Sequence, residues 1–195
     1  MSNPKNGQWT KDHERGWALV EQQKYNEALD VYSKLAEADS PVAQDVLGWM
    51  YLTGRGVTKD LGRAKQWFEM AAAAEYAWGE YHLGYAALVE QRFEAARQWF
   101  EKASSRGHST ATYRLGLLYL HGQGVRTNED QAYALFGVAA SKGHVLARRD
   151  MLRILARRSN TLLLRSWYHL LIAANFLRAL PIILKDPHDE RLDLS

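Results

Sequence analysis

Apolar residues recur at three- and four-residue spacing through most of the chain, in short stretches that polar turns separate. The spacing is clearest in two successive stretches, with Leu47, Met50 and Tyr51 in the first and Ala64, Trp67, Phe68 and Ala71 in the second. Side chains at this spacing share one face of an α-helix. We therefore predict an all-α chain built from helical hairpins.

The predicted hairpins repeat. The stretch VLGWMYLTGRGVTKDLGRAKQWFEMAA, which starts at Val46, returns from Arg114 onward as RLGLLYLHGQGVRTNEDQAYALFGVAA. Two shorter stretches, RGWALVEQQKYNEALDVYSKLAE and HLGYAALVEQRFEAARQWFEKAS, follow the same plan. All four share a marker glycine and a later alanine: Gly16, Gly48, Gly84 and Gly116, and Ala28, Ala64, Ala96 and Ala132. An internal repeat of this length indicates stacked structural units.

The interval between the two markers shows how the units differ. Short and long intervals from glycine to alanine alternate along the chain, and the long interval exceeds the short one by four positions. Long units therefore carry four extra residues between their two helices, and these longer turns contain Gly54 and Gly56, and Gly122 and Gly124. Because one hairpin cannot bury its own apolar face, we expect the units to stack into an α-solenoid.

The long units carry a recognisable pattern. Residues 43–79 read A…LGxxYxxGxGVxxDxxxAxxWFxxAAxxG, repeated in residues 111–143, and this resembles the Sel-1-like repeat family, a longer relative of the tetratricopeptide repeat. The short units, residues 9–39 and 77–107, look more like plain tetratricopeptide hairpins. The chain departs from the family pattern at Leu135, in place of tryptophan, at the loop exit from Asn128 to Asp130, and in a fifth unit with Leu152 at the marker position.

The resemblance implies a right-handed α-solenoid of about five antiparallel helix pairs, alternating short and long units. It also implies a scaffold or adaptor that binds proteins or peptides, without catalysis. We expect four segments: a flexible N-terminus (1–8), the helical-repeat domain (9–158), apolar C-terminal helices (159–185) and a polar tail (186–195).

The stretch from Leu162 to Leu184 is nearly long enough to cross a bilayer, but polar residues interrupt it, at Arg165, His169, Asn175 and Arg178. We expect Pro181 to break its helix near the end. The favoured interpretation is a helix that caps the solenoid, since terminal repeats must be sealed. Two alternatives stay open: an interface for a partner or a second copy of the chain, and a helix lying on a membrane surface with its arginines towards the headgroups.

Composition narrows the function. The chain has 195 residues, 47% of them hydrophobic, and no cysteine, which excludes thiol catalysis and cysteine-ligated metal and fits the cytoplasm. The first residues contain no apolar stretch, so we expect no secretory signal. A net charge of +3 is too small to indicate nucleic acid, and the basic end near Trp167 and Tyr168 matches no nucleic-acid-binding module.

No catalytic motif emerges. The double-glycine turns lack the Gly-Lys-Ser/Thr of a phosphate loop and the third glycine of a dinucleotide fingerprint, so we assign their glycines to helix ends and tight turns. The seven histidines form no close ligand pair, and no serine lies in a nucleophile elbow. We therefore expect that the protein is not an enzyme and that it binds no metal, cofactor or small-molecule substrate.

The concave groove is the candidate site. Residues three before and one after each marker position should line it: His13, Trp17, Asp45, Trp49, Tyr81, Tyr85, Tyr113, Leu117, Arg149 and Arg153, with Arg157 one turn later. Aromatic residues and arginine dominate recognition energetics, and unpaired arginines could hold an acidic side chain or terminal carboxylate of a peptide. The alternative, that Trp17 and Trp49 pack between neighbouring helices, stays open.

Overall fold

The computed structural model describes residues 10–185, and within that range the chain forms ten α-helices and no strand. The helices are α1 (Lys11–Glu21), α2 (Tyr25–Glu37), α3 (Pro41–Thr53), α4 (Leu61–Ala73), α5 (Ala77–Val89), α6 (Phe93–Ser105), α7 (Ser109–His121), α8 (Glu129–Ser141), α9 (Val145–Arg158) and α10 (Leu162–Lys185). The predicted N-terminus (1–8) and tail (186–195) lie outside the described residues.

The all-α prediction is confirmed. Short turns, residues 22–24 and 90–92, connect α1 to α2 and α5 to α6, whereas longer turns, residues 54–60 and 122–128, connect α3 to α4 and α7 to α8. The four-residue insertion therefore lies between the helices of alternate pairs, as the glycine spacing predicted. The chain divides into an N-terminal unit, residues 2–103, and a C-terminal unit that begins at Ser104.

The long turns depend on glycine. Gly54 and Gly122 end α3 and α7 in the left-handed conformation, with φ of 75° and 68°. A side chain is strained in this conformation, so glycine is the residue that ends a helix there most easily. The turns then lead into equivalent N-caps, Asp60 and Asn128, whose side chains accept from the backbone N–H three residues on, each at 3.0 Å. The paired glycines therefore serve to form the turn between the two helices.

The marker glycines make room for an aromatic ring from the second helix of the same pair. A Cβ at Gly84 would lie 2.5 Å from Phe100, and one at Gly116 would lie 2.6 Å from Phe136. Gly16 faces Tyr32 and Gly48 faces Phe68 in the same way. All four rings are fully buried: Tyr32, Phe68, Phe100 and Phe136. The glycine therefore lets the two helices approach and lets one large ring fill the space between them.

In the C-terminal unit, α8 packs against α7 and α9, and α9 packs against α10. Residues 159–161 connect α9 to α10, and Thr161 Oγ1 accepts from the Leu164 N–H at 3.3 Å. Asn175, buried on α10, donates from Nδ2 to the Val145 carbonyl at 3.1 Å. This bond fixes the second half of α10 to the start of α9.

The prediction that Pro181 breaks the last helix is wrong, because α10 continues to Lys185. A proline inside a helix removes one backbone hydrogen bond, to the carbonyl four residues earlier. That residue is Leu177, which is exposed, so the lost bond falls at a solvated position. Among residues 10–185, no helix combines the length and the apolar character needed to cross a membrane.

Candidate binding site

Four predicted groove residues are buried. His13, Asp45, Tyr81 and Tyr113, which precede their marker glycines by three positions, are only 2–8% exposed. The expectation that His13, Asp45 and Tyr81 project into an open groove is therefore wrong, whereas the buried Tyr113 contributes to the lining of the pocket described below. The physical reason is that this position packs against other helices, with polar contacts at His13, Asp45 and Tyr113. At Tyr81 the contacts are with aromatic rings, among them that of Phe100.

Two of these contacts are equivalent in the two units. His82 Nδ1 on α5 donates to Asp45 Oδ1 on α3 at 2.7 Å. Tyr113 on α7 donates from its hydroxyl to Asp150 Oδ2 on α9 at 2.9 Å. In both pairs the partners are 37 residues apart. Each bond therefore joins the first helix of one pair to the first helix of the next, and the residues serve the stacking of units.

The residues one after the marker glycines are more accessible. Trp17, Trp49 and Tyr85 are partly buried in the N-terminal unit, on α1, α3 and α5. Trp49 packs against the core around Phe68, and the Arg55 guanidinium lies 4.6 Å from the centre of its ring. Trp49 is thus partly a packing residue, as the alternative interpretation held, with part of its indole still exposed.

The C-terminal unit contains a pocket of about 710 Å³ between α7, α9 and α10. Five predicted groove residues line it: Tyr113, Leu117, Arg149, Arg153 and Arg157. The remaining lining residues were not predicted: Leu120, His121, Asp150, Ile154, Ala156, Arg165 and His169. The structure therefore brings the arginines of α9 together with a second basic pair on α10.

The α9 arginines are not unpaired, as the sequence suggested. Arg149 donates to both carboxylate oxygens of Asp150, from Nε at 2.9 Å and from Nη2 at 3.1 Å. Arg153 donates to Asp150 Oδ1 at 3.1 Å, and Arg157 donates to Glu129 Oε2 at 2.8 Å. Burial opposes the charge of Arg149, but its bonds with Asp150 outweigh this effect and raise its pKa.

Positive charge nevertheless exceeds negative charge in the pocket. Among the lining residues four are arginines, and Asp150 is the acidic one. Arg153 donates to Asp150 and Arg165 donates to the Ser159 carbonyl, and because a guanidinium carries five N–H donors, each keeps others for a ligand. The lining also contains four aliphatic side chains: Leu117, Leu120, Ile154 and Ala156. The pocket can therefore accept a carboxylate together with an aliphatic side chain.

Arg165 and His169 were missed because the apolar stretch around them was interpreted as a cap. The sequence does indicate that the two residues act together, because they lie four positions apart and so share one helix face. They follow the turn at residues 159–161, after which α10 packs along α9. Their place beside the α9 arginines depends on how α10 packs along α9, which the spacing within one helix does not give.

The repeated histidines are structural. His108 Nδ1 accepts from the Ala111 N–H at 3.2 Å, and His144 Nδ1 accepts from the Ala147 N–H at 3.1 Å, so each caps a first helix. Burial lowers the pKa of His144 to about 4, and the charge of Arg114 adds to this effect. In the part of the chain that the structure describes, no three His, Asp or Glu residues are grouped to hold a metal ion.

Comparison with known families identifies the repeat. The model of the Sel1 repeat matches residues 41–76, 72–108 and 109–144, which together cover more than half of the chain. The chain belongs to the Sel1 repeat family. The second match includes the short unit at 77–107, so this Sel1 repeat protein carries the family pattern even where the sequence looked like a plain tetratricopeptide hairpin.

Two solved structures are similar to this Sel1 repeat protein. A Sel1 repeat protein from Oxalobacter formigenes is 28% identical with a TM-score of 0.73, covering 84% of this chain and 71% of the other. A protective antigen from uropathogenic Escherichia coli that displays an SLR fold is 25% identical with a TM-score of 0.66. That match covers 77% of this chain and 34% of the antigen, so this chain spans about a third of it. No curated protein matches.

Proteins of the Sel1 repeat family are generally helical scaffolds for protein–protein interactions and are typically not catalytic. The present chain shares their all-helical fold.

Proposed function

We propose that this Sel1 repeat protein is a non-enzymatic adaptor of the cytoplasm that binds a segment of a partner protein. The observation that carries the proposal is the pocket between α7, α9 and α10, whose lining combines four arginines, one carboxylate and four aliphatic side chains. Arginine donates in a planar fork that matches carboxylate geometry, and the aliphatic side chains can pack against a side chain of the same ligand.

The N-terminal unit offers a second contact surface of a different kind. Trp17, Trp49 and Tyr85 keep part of their rings accessible. Aromatic side chains add large contact areas at low entropic cost, which makes them common anchors at protein interfaces. We expect this surface to add affinity, and the arginines of the C-terminal unit to provide selectivity for acidic segments.

A protein partner fits these surfaces better than nucleic acid does. Trp167 is 57% exposed on α10 but does not line the pocket, and the tyrosine that does line it, Tyr113, is buried against Asp150. Four of the lining side chains are aliphatic: Leu117, Leu120, Ile154 and Ala156. Aliphatic side chains pack well against leucine or valine of a peptide.

Affinity capture with a triple variant tests the proposal. Trp49→Ala, Tyr85→Ala and Arg153→Ala together should abolish the capture of partners from a lysate, as quantified by mass spectrometry. Arg148→Ala is the matched control, because Arg148 is exposed on α9 and does not line the pocket. Circular dichroism at 222 nm verifies that each variant is folded. Equal capture by the wild type and the triple variant would reject the proposal.

A second candidate function rests on the exposed apolar side of α10. Leu163, Trp167, Leu170 and Leu177 are each more than half exposed, with Leu163 at 85%. This surface could attach the protein to a membrane surface or to a second copy of the chain. Replacing Leu163, Leu170 and Leu177 by glutamate should then abolish flotation with anionic liposomes, or convert a dimer to a monomer in light scattering. A wild-type chain that neither floats nor dimerises would remove this candidate.

A further inference from the structure

Helix α10 carries a regular stripe of exposed apolar residues. Leu163, Trp167, Leu170, Ala174 and Leu177 follow one another at intervals of four, three, four and three positions. All five are exposed, and the four large side chains are 57–85% exposed. A mean period of 3.5 residues keeps apolar side chains facing a second helix along its whole length. This α10 stripe therefore has the pattern of a helix–helix interface.

The α10 stripe is separate from the two sides of the helix that already have contacts. On one side α10 packs against α9, where the buried Asn175 binds the Val145 carbonyl. On another side Arg165 and His169 line the pocket. Among residues 10–185, no element covers the α10 stripe.

The exposed apolar surface is large enough for a stable interface. Six large apolar residues of α10 are more than half exposed: Leu162, Leu163, Trp167, Leu170, Phe176 and Leu177. At on the order of 100 Å² for each side chain, one copy of the chain offers roughly 600 Å². Two such surfaces in contact bury about 1,200 Å², which is where stable, specific interfaces begin. An exposed apolar patch of this size marks an interaction site.

The first helix of the chain does not offer a matching surface. The exposed side of α1 carries Lys11, Asp12, Glu14 and Arg15. Stacking of α10 on α1 of a second copy would bury apolar side chains against these charges, and such a head-to-tail contact would continue into an open filament. Pairing of α10 with α10 instead buries the same apolar stripe on both sides and closes as a two-fold dimer.

The spacing of the stripe favours a helix over a lipid surface. Lipid accepts any broad apolar face and imposes no spacing along it, whereas two packed helices need the alternation of four and three positions. A helix on a membrane surface also directs its arginines towards headgroups. Arg165 instead lines the pocket and donates to the Ser159 carbonyl of its own chain at 2.9 Å.

The sizes of the stripe residues favour an antiparallel pair. In a parallel pair each residue meets its own copy, so that Trp167 would meet Trp167 and Ala174 would meet Ala174. One layer would then be crowded and the other would leave a gap. In an antiparallel pair the end of the stripe with Trp167 lies beside the end with Ala174, so a large side chain faces small ones.

We propose that two copies of this chain pair through the α10 stripe, with the two helices antiparallel around a two-fold axis near Leu170. The proposal rests on the second candidate function, which it narrows to one occupant, and it is independent of ligand binding in the pocket. Each copy retains its own pocket, so the dimer presents two. A partner with two acidic segments then binds the dimer with avidity.

A charge near the axis tests the pairing. We expect the full-length wild type to be a dimer in light scattering at about 100 μM, since interfaces of this size hold at micromolar concentrations or below. Leu170→Glu brings two like charges together in an apolar contact and should raise the dimer dissociation constant about 100-fold or more, as measured by analytical ultracentrifugation. Val138→Glu makes the same kind of change at an exposed residue of α8 and should leave the dimer intact. Circular dichroism at 222 nm verifies that both variants are folded.

Thiol crosslinking tests the orientation. The chain has no cysteine, so an introduced cysteine is the only thiol in each copy. Leu163 and Leu177 lie about 21 Å apart along α10. In an antiparallel dimer, a short thiol-specific crosslinker should join Leu163→Cys to Leu177→Cys when the two proteins are mixed, and should join neither variant to itself. In a parallel dimer each variant would crosslink to itself.

Four results would overturn the proposal. A monomeric wild type, or a dimer that Leu170→Glu and Val138→Glu affect equally, would reject pairing through the stripe. Crosslinking of Leu163→Cys to itself would reject the antiparallel arrangement. A monomer that floats with anionic liposomes would reject the pairing and leave membrane attachment as the second candidate function. In each case, loss of partner capture in Arg153→Ala would leave the adaptor function standing.

Discussion

Gly116, the marker glycine of α7, should not tolerate even one added methyl group. A Cβ there would lie 2.6 Å and 2.8 Å from two ring carbons of Phe136, against about 3.5 to 4.0 Å for carbon atoms in contact. The ring is fully buried, and its centre is 5.5 Å from that of Tyr113, so a shift of the ring disturbs the packing around it. Overpacking costs about 1 to 3 kcal/mol, and alanine recovers about 1 kcal/mol of helix propensity. We therefore expect Gly116→Ala to lower the free energy of unfolding by about 1 kcal/mol.

Gly137→Ala on α8 is the matched control. A Cβ at Gly137 would meet Met151 Sδ at 3.9 Å, which is an ordinary contact. Helix propensity then acts alone, and we expect a gain of about 0.5 to 1 kcal/mol. Urea unfolding followed by circular dichroism at 222 nm measures both changes. Equal stabilisation by the two substitutions would refute the role of Gly116. Combining Gly116→Ala with Phe136→Leu should cost less than the sum of the two single changes, because the smaller side chain relieves the clash.

Three further substitutions test other parts of the structure. Burial lowers the pKa of His144 to about 4 from 6.5, so protonation favours the unfolded chain as the pH falls through this interval. Asparagine also caps helices but does not titrate. Between pH 7 and pH 4 the wild type should therefore lose about 3 kcal/mol more free energy of unfolding than His144→Asn, as measured by urea unfolding at both pH values. Asp45→Ala leaves the buried His82 without its 2.7 Å partner and should cost about 1 to 3 kcal/mol in the same assay, whereas a neutral result would show that this bond is dispensable. Gln91 has a φ of 58° in the turn between α5 and α6, so Gln91→Gly should raise stability by up to about 1 kcal/mol, and a loss would contradict the inferred strain.

The helix pairs could be predicted from the sequence because their signals are local. Gly54 and Gly122 end helices through their own backbone conformation, and the four extra residues lie next to them. A repeated local signal gives the register of each unit without knowledge of the tertiary contacts.

The site was predicted only in part, because its residues depend on contacts between helices. The spacing of Asp45 and Tyr113 indicated one helix face, but a first helix has neighbours on both sides, and these two residues face the next first helix. Arg165 reaches the pocket because α10 folds back along α9. Propensity and periodicity describe one helix at a time, so they do not report which residues of two helices meet.

Photo-crosslinking tests most directly whether a partner segment binds in the arginine-lined pocket. A photoreactive residue at His121, which lines the pocket and is exposed, should crosslink to the captured partner at an acidic stretch. The same residue at Leu170, on the exposed apolar side of α10, or at Val138 on α8 should not. Crosslinks to that partner from position 170 or 138, with none from position 121, would contradict binding in the pocket.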